Sequence, residues 1–182
     1  YLMNYAGIGI NPQRFLSLKL GPIKDSVNDC IDKETNNAID LIGKQGGSLN
    51  PTRYVYYGGN KVNYLCSDIQ GKSECSPTML LAGDMENDLN RHLAREINNC
   101  INVKEIAKKM FYDVKIGTII VSTSIRREEV LVKVNLPITI TKGADSLSVN
   151  DFSRSIDKPL GELYDYSYDI VNGEATGFFD QL

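Results

Sequence analysis

The sequence is poor in residues and motifs that mark several large classes of enzyme. It has a single histidine, His92, among 182 residues, so a Ser-His-Asp or Cys-His catalytic site would have to use that side chain. The pattern places His92 on a predicted helix beside its apolar stripe, which favours a boundary or surface position. No G-x-S-x-G, G-x-x-x-x-G-K-[ST] or H-E-x-x-H motif is present. We therefore expect a non-enzymatic protein with no catalytic residue, no metal site and no cofactor.

The sequence also lacks long hydrophobic runs and an excess of positive charge. No apolar run approaches the ~20 residues that a helix needs to span a bilayer, and no secretory signal lies within the chain. Because the chain opens on Tyr1, we expect a processed or truncated product, with any membrane segment upstream of that residue. The net charge is −3, and Arg126-Arg127 is followed at once by Glu128-Glu129. A nucleic-acid surface needs uncompensated Lys and Arg, so no nucleic-acid partner is expected.

The stretch from Glu129 to Thr141 has a clear β-strand period. Its even positions are all apolar and its odd positions are mostly polar or small; the apolar set is Val130, Val132, Val134, Leu136, Ile138 and Ile140. Because strand side chains point alternately to two faces, one face should lie in a core and the other near water. Pro137 cannot donate to a β-ladder, so we expect it at an edge or a bulge.

The flanking segments complete an α+β layout. Apolar residues at helical spacing predict amphipathic helices over about 24–42, 84–101 and 159–171, with Asp84 as the N-cap of the second and Asn172-Gly173 ending the third. Further strands are predicted over 113–122, with Gly117 as a bulge, and over 146–156, where the apolar parity slips near Asn150-Asp151. This order predicts an antiparallel sheet of at least three consecutive strands, about 113–157, with the helices packed on one face.

The ends of the chain lack a consistent period. Residues 1–23, punctuated by glycine and proline, are predicted to be an extended arm or a linker from a lost anchor. A single domain is predicted over 24–172, followed by a tail over 173–182. The arm could add a strand to a neighbouring molecule and so provide a protein partner or self-assembly contact. A flexible spacer is the alternative.

The four cysteines form an even set, which suggests disulfides if the compartment is oxidising, and three pairings can be drawn. Cys30 and Cys100 fall on the apolar faces of two predicted helices, which suits a bridge between them. Cys66 and Cys75 flank a polar loop, which suits a local clip. We therefore prefer Cys30–Cys100 with Cys66–Cys75. Buried free thiols in a cytosolic protein are the alternative, and zinc is a third, although no C-x2-C pair is present.

Two surface features have a functional and a structural interpretation. Tyr54, Tyr56 and Tyr57 precede Gly58-Gly59, which predicts a strand entering a tight turn. These tyrosines are a candidate sugar or protein contact surface, although tyrosine is also a good strand former. The acid-rich run Asp25, Asp29, Asp32 and Glu34 is interpreted as a solvated helix face.

Five stretches carry a resemblance to a known family. They are Asn28-Asp-Cys-Ile, Leu41-Ile-Gly-Lys-Gln-Gly-Gly, Glu96-Ile-Asn-Asn-Cys, Asn135-Leu-Pro-Ile-Thr-Ile-Thr-Lys-Gly and Pro159-Leu-Gly-Glu-Leu-Tyr-Asp. In this order the set resembles uncharacterised membrane-anchored proteins of small-genome archaea of the DPANN type, over most of residues 24–171. The resemblance implies an N-terminal hydrophobic anchor before Tyr1, a domain that faces outside the cell, and a Cys30–Cys100 bridge. It implies no catalytic residue, and this chain departs from the family by lacking the hydrophobic segment.

These observations favour a non-enzymatic extracytoplasmic domain of the cell surface. Its expected role is structural or in protein–protein interaction, as part of an envelope, an attachment structure, or a subunit of a filament or other extracellular appendage. A ligand-binding module, with a pocket between the sheet and the helices, is the alternative.

Overall fold

The computed structural model describes residues 12–68 and 75–176 of the chain. The helices are α1 (Pro12–Lys44), α2 (Ala82–Cys100), α3 (Val103–Lys109) and α4 (Leu160–Ala175). The strands are β1 (Tyr54–Tyr57), β2 (Asn60–Asn63), β3 (Cys66–Asp68), β4 (Cys75–Pro77), β5 (Asp113–Ile116), β6 (Ile120–Ile125), β7 (Val130–Lys142) and β8 (Asp145–Ile156). The predicted α+β class is confirmed.

The main sheet is built around β7, the strand with the clear period of two. Every neighbour pairs with it antiparallel: β5 and β6 lie end to end along one side, and β8 lies along the other. All six even-numbered apolar side chains of β7 are buried, and the odd-numbered ones alternate outward. The alternation therefore separates a core face from an outer face, as the sequence predicts.

The sheet has its irregularity where Pro137 interrupts the ladder. Between Asn135 and Ile138 the register with β8 shifts, so that β7 has two residues where β8 has only Asn150. The slip near Asn150 is therefore confirmed as a bulge, but the extra residue belongs to β7. On the other side of β7, residues 117–119 separate β5 from β6. There the Gly117 N–H donates to the Pro137 carbonyl at 2.7 Å.

The core lies between the inner face of this sheet and two helices. α1 packs against β8 and against α2, and α2 packs against β6. Cys30 on α1 is bonded to Cys100 at the end of α2, with their Cα atoms 5.8 Å apart. Arg154 on β8 donates from Nε to Asp32 Oδ1 on α1 at 2.7 Å. Asp32 thus forms an ion pair that joins α1 to the sheet. The prediction that it lies on a solvated helix face is therefore wrong for this residue.

The helix α1 begins earlier than the sequence predicts. The extended arm expected over 1–23 is wrong for residues 12–23, which form the first three turns of α1; residues 1–11 lie outside the described residues. Leu20, Ile23 and Val27 are buried at steps of three and four. Their burial offsets the helix penalty of Gly21-Pro22, the pair that suggested a break.

The other helix ends also differ from the predicted ones by a few residues. α2 begins at Ala82, so Asp84 lies in its first turn rather than at the N-cap, which is Leu81. α4 continues through Gly173 to Ala175. The predicted tail is therefore helical at its start, and residues 177–182 lie outside the described residues.

The outer edge of β6 is covered by polar side chains of α2. Asn90 Oδ1 accepts the Thr123 N–H at 2.6 Å and the Thr123 hydroxyl at 2.9 Å. Glu86 Oε1 accepts the Ile125 N–H at 2.7 Å. Because helix positions i and i+4 lie about as far apart as strand positions i and i+2, the two side chains satisfy successive outward N–H groups. This closes an edge that would otherwise be free to pair with another strand.

We predict that Asn90→Ala lowers the free energy of unfolding by about 1–3 kcal/mol, because it leaves the buried Thr123 N–H without a partner, whereas the Thr123 hydroxyl keeps the Glu86 carbonyl. Urea denaturation measures the change. Asn87→Ala is the matched control, since Asn87 is exposed on the same helix, and it should change stability by less than about 0.5 kcal/mol. Equal effects from the two substitutions would contradict the edge-capping role of Asn90.

Candidate interaction surface

The tyrosines singled out in the sequence lie on a short exposed hairpin. β1 and β2 pair antiparallel, and Gly58 and Gly59 form the two-residue turn with φ values of 55° and 81°. Tyr56 and Tyr57 are exposed. Tyr54 is engaged within the hairpin, because its ring lies edge-on to that of Tyr56 at 5.3 Å and under Lys61 Nζ at 4.7 Å. The hairpin therefore presents two exposed rings, those of Tyr56 and Tyr57, next to its turn.

An apolar cleft lies near the base of this hairpin. The Asn63 N–H donates to the Gln45 carbonyl at 2.9 Å, just beyond the end of α1. Beside this contact lies a cavity of about 250 Å³. It is lined by the end of α1, the start of α2, the first half of α4 and the segments next to β3 and β4; its larger apolar side chains are Ile42, Leu65, Met79, Leu80, Met85, Leu160, Leu163 and Tyr164.

The second disulfide holds one wall of the cleft. Cys66 and Cys75 are bonded, with Cα atoms 5.7 Å apart, and they close the hairpin of β3 and β4. On the far side of β4, Thr78 donates from its N–H to the Leu65 carbonyl and from its hydroxyl to the Tyr64 carbonyl, both at 2.8 Å. Both disulfide pairs preferred from the sequence are therefore present, and this one supports Leu65 and the segment leading to Met79.

The helix α4 extends the cleft outward as an exposed apolar strip. Leu163, Tyr166 and Ile170 recur at steps of three and four, so they share one face of the helix, and they are 58%, 58% and 57% exposed. Leu163 also lines the cavity. We call these three residues the α4 strip. The buried side of α4 is formed instead by Leu160 and Val171.

The first turn of α4 is fixed by the turn that joins β6 to β7. The Glu162 N–H donates to the Arg127 carbonyl at 3.1 Å, and Gly161 lies so close that a Cβ there would be 2.4 Å from the Arg126 carbonyl oxygen. Within the turn, Arg126 donates to Glu129 at 2.6 Å. The hydrogen bonds from the Ser155 hydroxyl and then from Arg126 lower the pKa of Glu129. The start of the α4 strip is therefore held in place by contacts with the β6–β7 turn.

The cleft offers apolar contact rather than reactive groups. Among the described residues that line it, none is Asp, Glu, His, Lys, Arg or Cys. Tyr164 and Ser167 carry its side-chain hydroxyls, and Ser167 Oγ donates to the Leu163 carbonyl of its own helix at 2.8 Å. His92 lies away from the cleft, half-buried on α2, with its Nδ1 3.4 Å from Arg95 Nη2. Such a lining can bind apolar side chains or an apolar ligand.

In residues 12–68 and 75–176, no three His, Cys, Asp or Glu side chains converge to hold a metal ion. No helix within these ranges combines the length and the apolar character that crossing a membrane requires.

Comparison with known proteins adds no identification: no family model, no curated protein and no solved structure matches the chain. The resemblance to membrane-anchored archaeal proteins therefore stays a prediction from the sequence.

Sequence reasoning found the tyrosine hairpin but missed the α4 strip. The sequence pattern places Leu163 with Leu160, Tyr164 and Val171 on the apolar side of the last helix, whereas the structure leaves Leu163 exposed. The sequence did contain a signal for the strip. Tyr166 and Ile170 widen the apolar face of the last helix beyond the width that packing on one side requires.

Proposed function

We propose that this protein is a non-enzymatic, extracytoplasmic domain of the cell surface, and that it binds a protein partner through the α4 strip and the adjoining cleft. The observation that carries the proposal is the strip itself. Three large apolar side chains are more than half exposed beside an apolar cavity. Contiguous exposed apolar surface with a polar rim is typical of interaction sites.

The disulfides support the proposed extracytoplasmic location. Cys30–Cys100 and Cys66–Cys75 use all four cysteines of the chain, and such bonds persist in oxidising environments outside the cytosol. The resemblance to membrane-anchored archaeal proteins is consistent with a position on the outer side of a membrane, held by a segment upstream of Tyr1.

The cavity favours one alternative function, the binding of a small apolar ligand. At about 250 Å³ it lies just below the usual size of ligand pockets, about 300–1,000 Å³. It is placed among α1, α2, α4 and the β3–β4 hairpin, whereas the sequence suggested a position between the main sheet and the helices. A large, saturable thermal shift with a small apolar compound would favour this alternative.

The proposal predicts that the native protein is labelled on intact cells by a membrane-impermeant amine reagent and migrates in an assembly larger than its monomer after gentle extraction. Replacing Leu163 and Ile170 together by serine should release the protein as a folded monomer, because the partner loses its apolar contact. Sedimentation measures the size, and circular dichroism checks the fold.

Ile120→Ser is the matched control, since Ile120 is a large apolar side chain exposed on the main sheet, away from α4. It should leave the assembly unchanged. Labelling that requires cell lysis, or an assembly that survives the Leu163/Ile170 double substitution, would overturn the proposal.

A further inference from the structure

We infer that the partner contributes a cationic amphipathic helix, whose apolar side packs on the α4 strip and whose Lys or Arg side chains pair with Asp169 and Glu174. This inference rests on the proposed function and narrows it to one class of partner.

The shape of the surface suits a helix. Leu163, Tyr166 and Ile170 form a ridge at helical spacing, and a second helix packs its own side chains beside such a ridge. Amphipathic helices bind apolar grooves through anchors at positions i, i+3, i+4 and i+7. The cavity next to Leu163 provides room for one such apolar anchor.

The acidic residues of α4 favour a partner helix with positive charge. The helix carries four acidic residues, Glu162, Asp165, Asp169 and Glu174, and no Lys or Arg. Glu162 is held by Arg127 at 3.5 Å. Asp169 and Glu174 are exposed, and no Lys or Arg of the described chain lies within ion-pair distance of either.

These two carboxylates border the strip on its two sides, because Asp169 lies one helical turn from Tyr166 (i+3) and Glu174 lies one turn from Ile170 (i+4). A second copy of this chain, docked α4 against α4, would bring acidic residues together, and an anionic membrane would meet the same repulsion. A cationic helix instead gains complementary charge along the border of the strip.

The test titrates the disulfide-intact domain with a synthetic helix of about 18 residues, roughly five turns, that has leucine on one side and lysine on the other. We expect saturable binding by fluorescence anisotropy, weakening as salt rises, with amide NMR shifts centred on α4. A peptide with glutamate in place of each lysine should not bind.

Replacing Asp169 by asparagine and Glu174 by glutamine together should weaken binding about fivefold, as expected for two surface ion pairs. Ile170→Ser should weaken it about tenfold. The matched control is Asp25→Asn with Asp29→Asn, an exposed acidic pair on α1, which should leave the affinity within about twofold of the unsubstituted value.

Equal binding of the lysine and glutamate peptides, or NMR shifts away from α4, would overturn the inference. Tighter binding to vesicles of anionic phosphatidylglycerol, or dimerisation of the free domain through α4, would overturn it in favour of those occupants. Failure to bind the lysine peptide, with the α4-dependent assembly intact, would reject the cationic helix and leave the proposed function standing.

Discussion

Replacing Cys30 and Cys100 together by alanine is expected to lower the free energy of unfolding by about 4 kcal/mol and the melting temperature by about 10 °C. The bond joins residues 70 positions apart, so breaking it releases a long loop in the unfolded chain. In the folded state it also ties α1 to the end of α2 at the core, where Cys30 is buried. Urea denaturation and scanning calorimetry measure the two quantities.

The other disulfide provides the matched comparison. Cys66 and Cys75 are separated by only 9 positions, so replacing both by alanine should cost about 2.5 kcal/mol by the same loop-entropy argument. Equal decreases in the free energy of unfolding from the two double substitutions would contradict the view that Cys30–Cys100 stabilises the core. No decrease on removing Cys30–Cys100 would also contradict it.

Gly161→Ala is expected to lower the free energy of unfolding by about 3 kcal/mol and to displace α4. The added Cβ would lie 2.4 Å from the Arg126 carbonyl oxygen and 2.7 Å from its carbonyl carbon, so rigid backbone rather than a flexible side chain must move. The displacement would move Leu163 away from the cleft. Increased proteolysis within α4, compared with the rest of the domain, would reveal it together with the stability loss.

Gly83→Ala is the control for this prediction. Gly83 lies in the first turn of α2, and a Cβ there has nothing within 4 Å. Alanine should therefore be neutral or stabilise by up to about 1 kcal/mol, because it favours the helix. An unchanged α4 in Gly161→Ala would show that the first turn is not fixed by the β6–β7 turn.

The parts of the fold that follow from local pattern could be predicted from the sequence. β7 was predicted because one of its faces is buried along its whole length, which leaves an unbroken period of two. The Cys30–Cys100 pair was predicted because each cysteine lies on the apolar side of an amphipathic helix. In both cases the signal depends on burial of one face, which periodicity reports directly.

The remaining features depend on contacts that periodicity does not report. The helix over residues 12–23 contains Gly21 and Pro22, whose local penalty is offset by tertiary burial of Leu20 and Ile23. The capping of β6 by Asn90 joins residues 33 positions apart. The α4 strip was missed because spacing shows that side chains share a face but does not show whether another element covers it.

The proposal of an outward-facing domain with two disulfides is tested most directly by intact mass. The protein is isolated from its native cells in an alkylating reagent, with and without prior reduction. We predict no alkyl adduct before reduction and four after it, one for each cysteine. Adducts on unreduced protein would show free thiols and contradict the account.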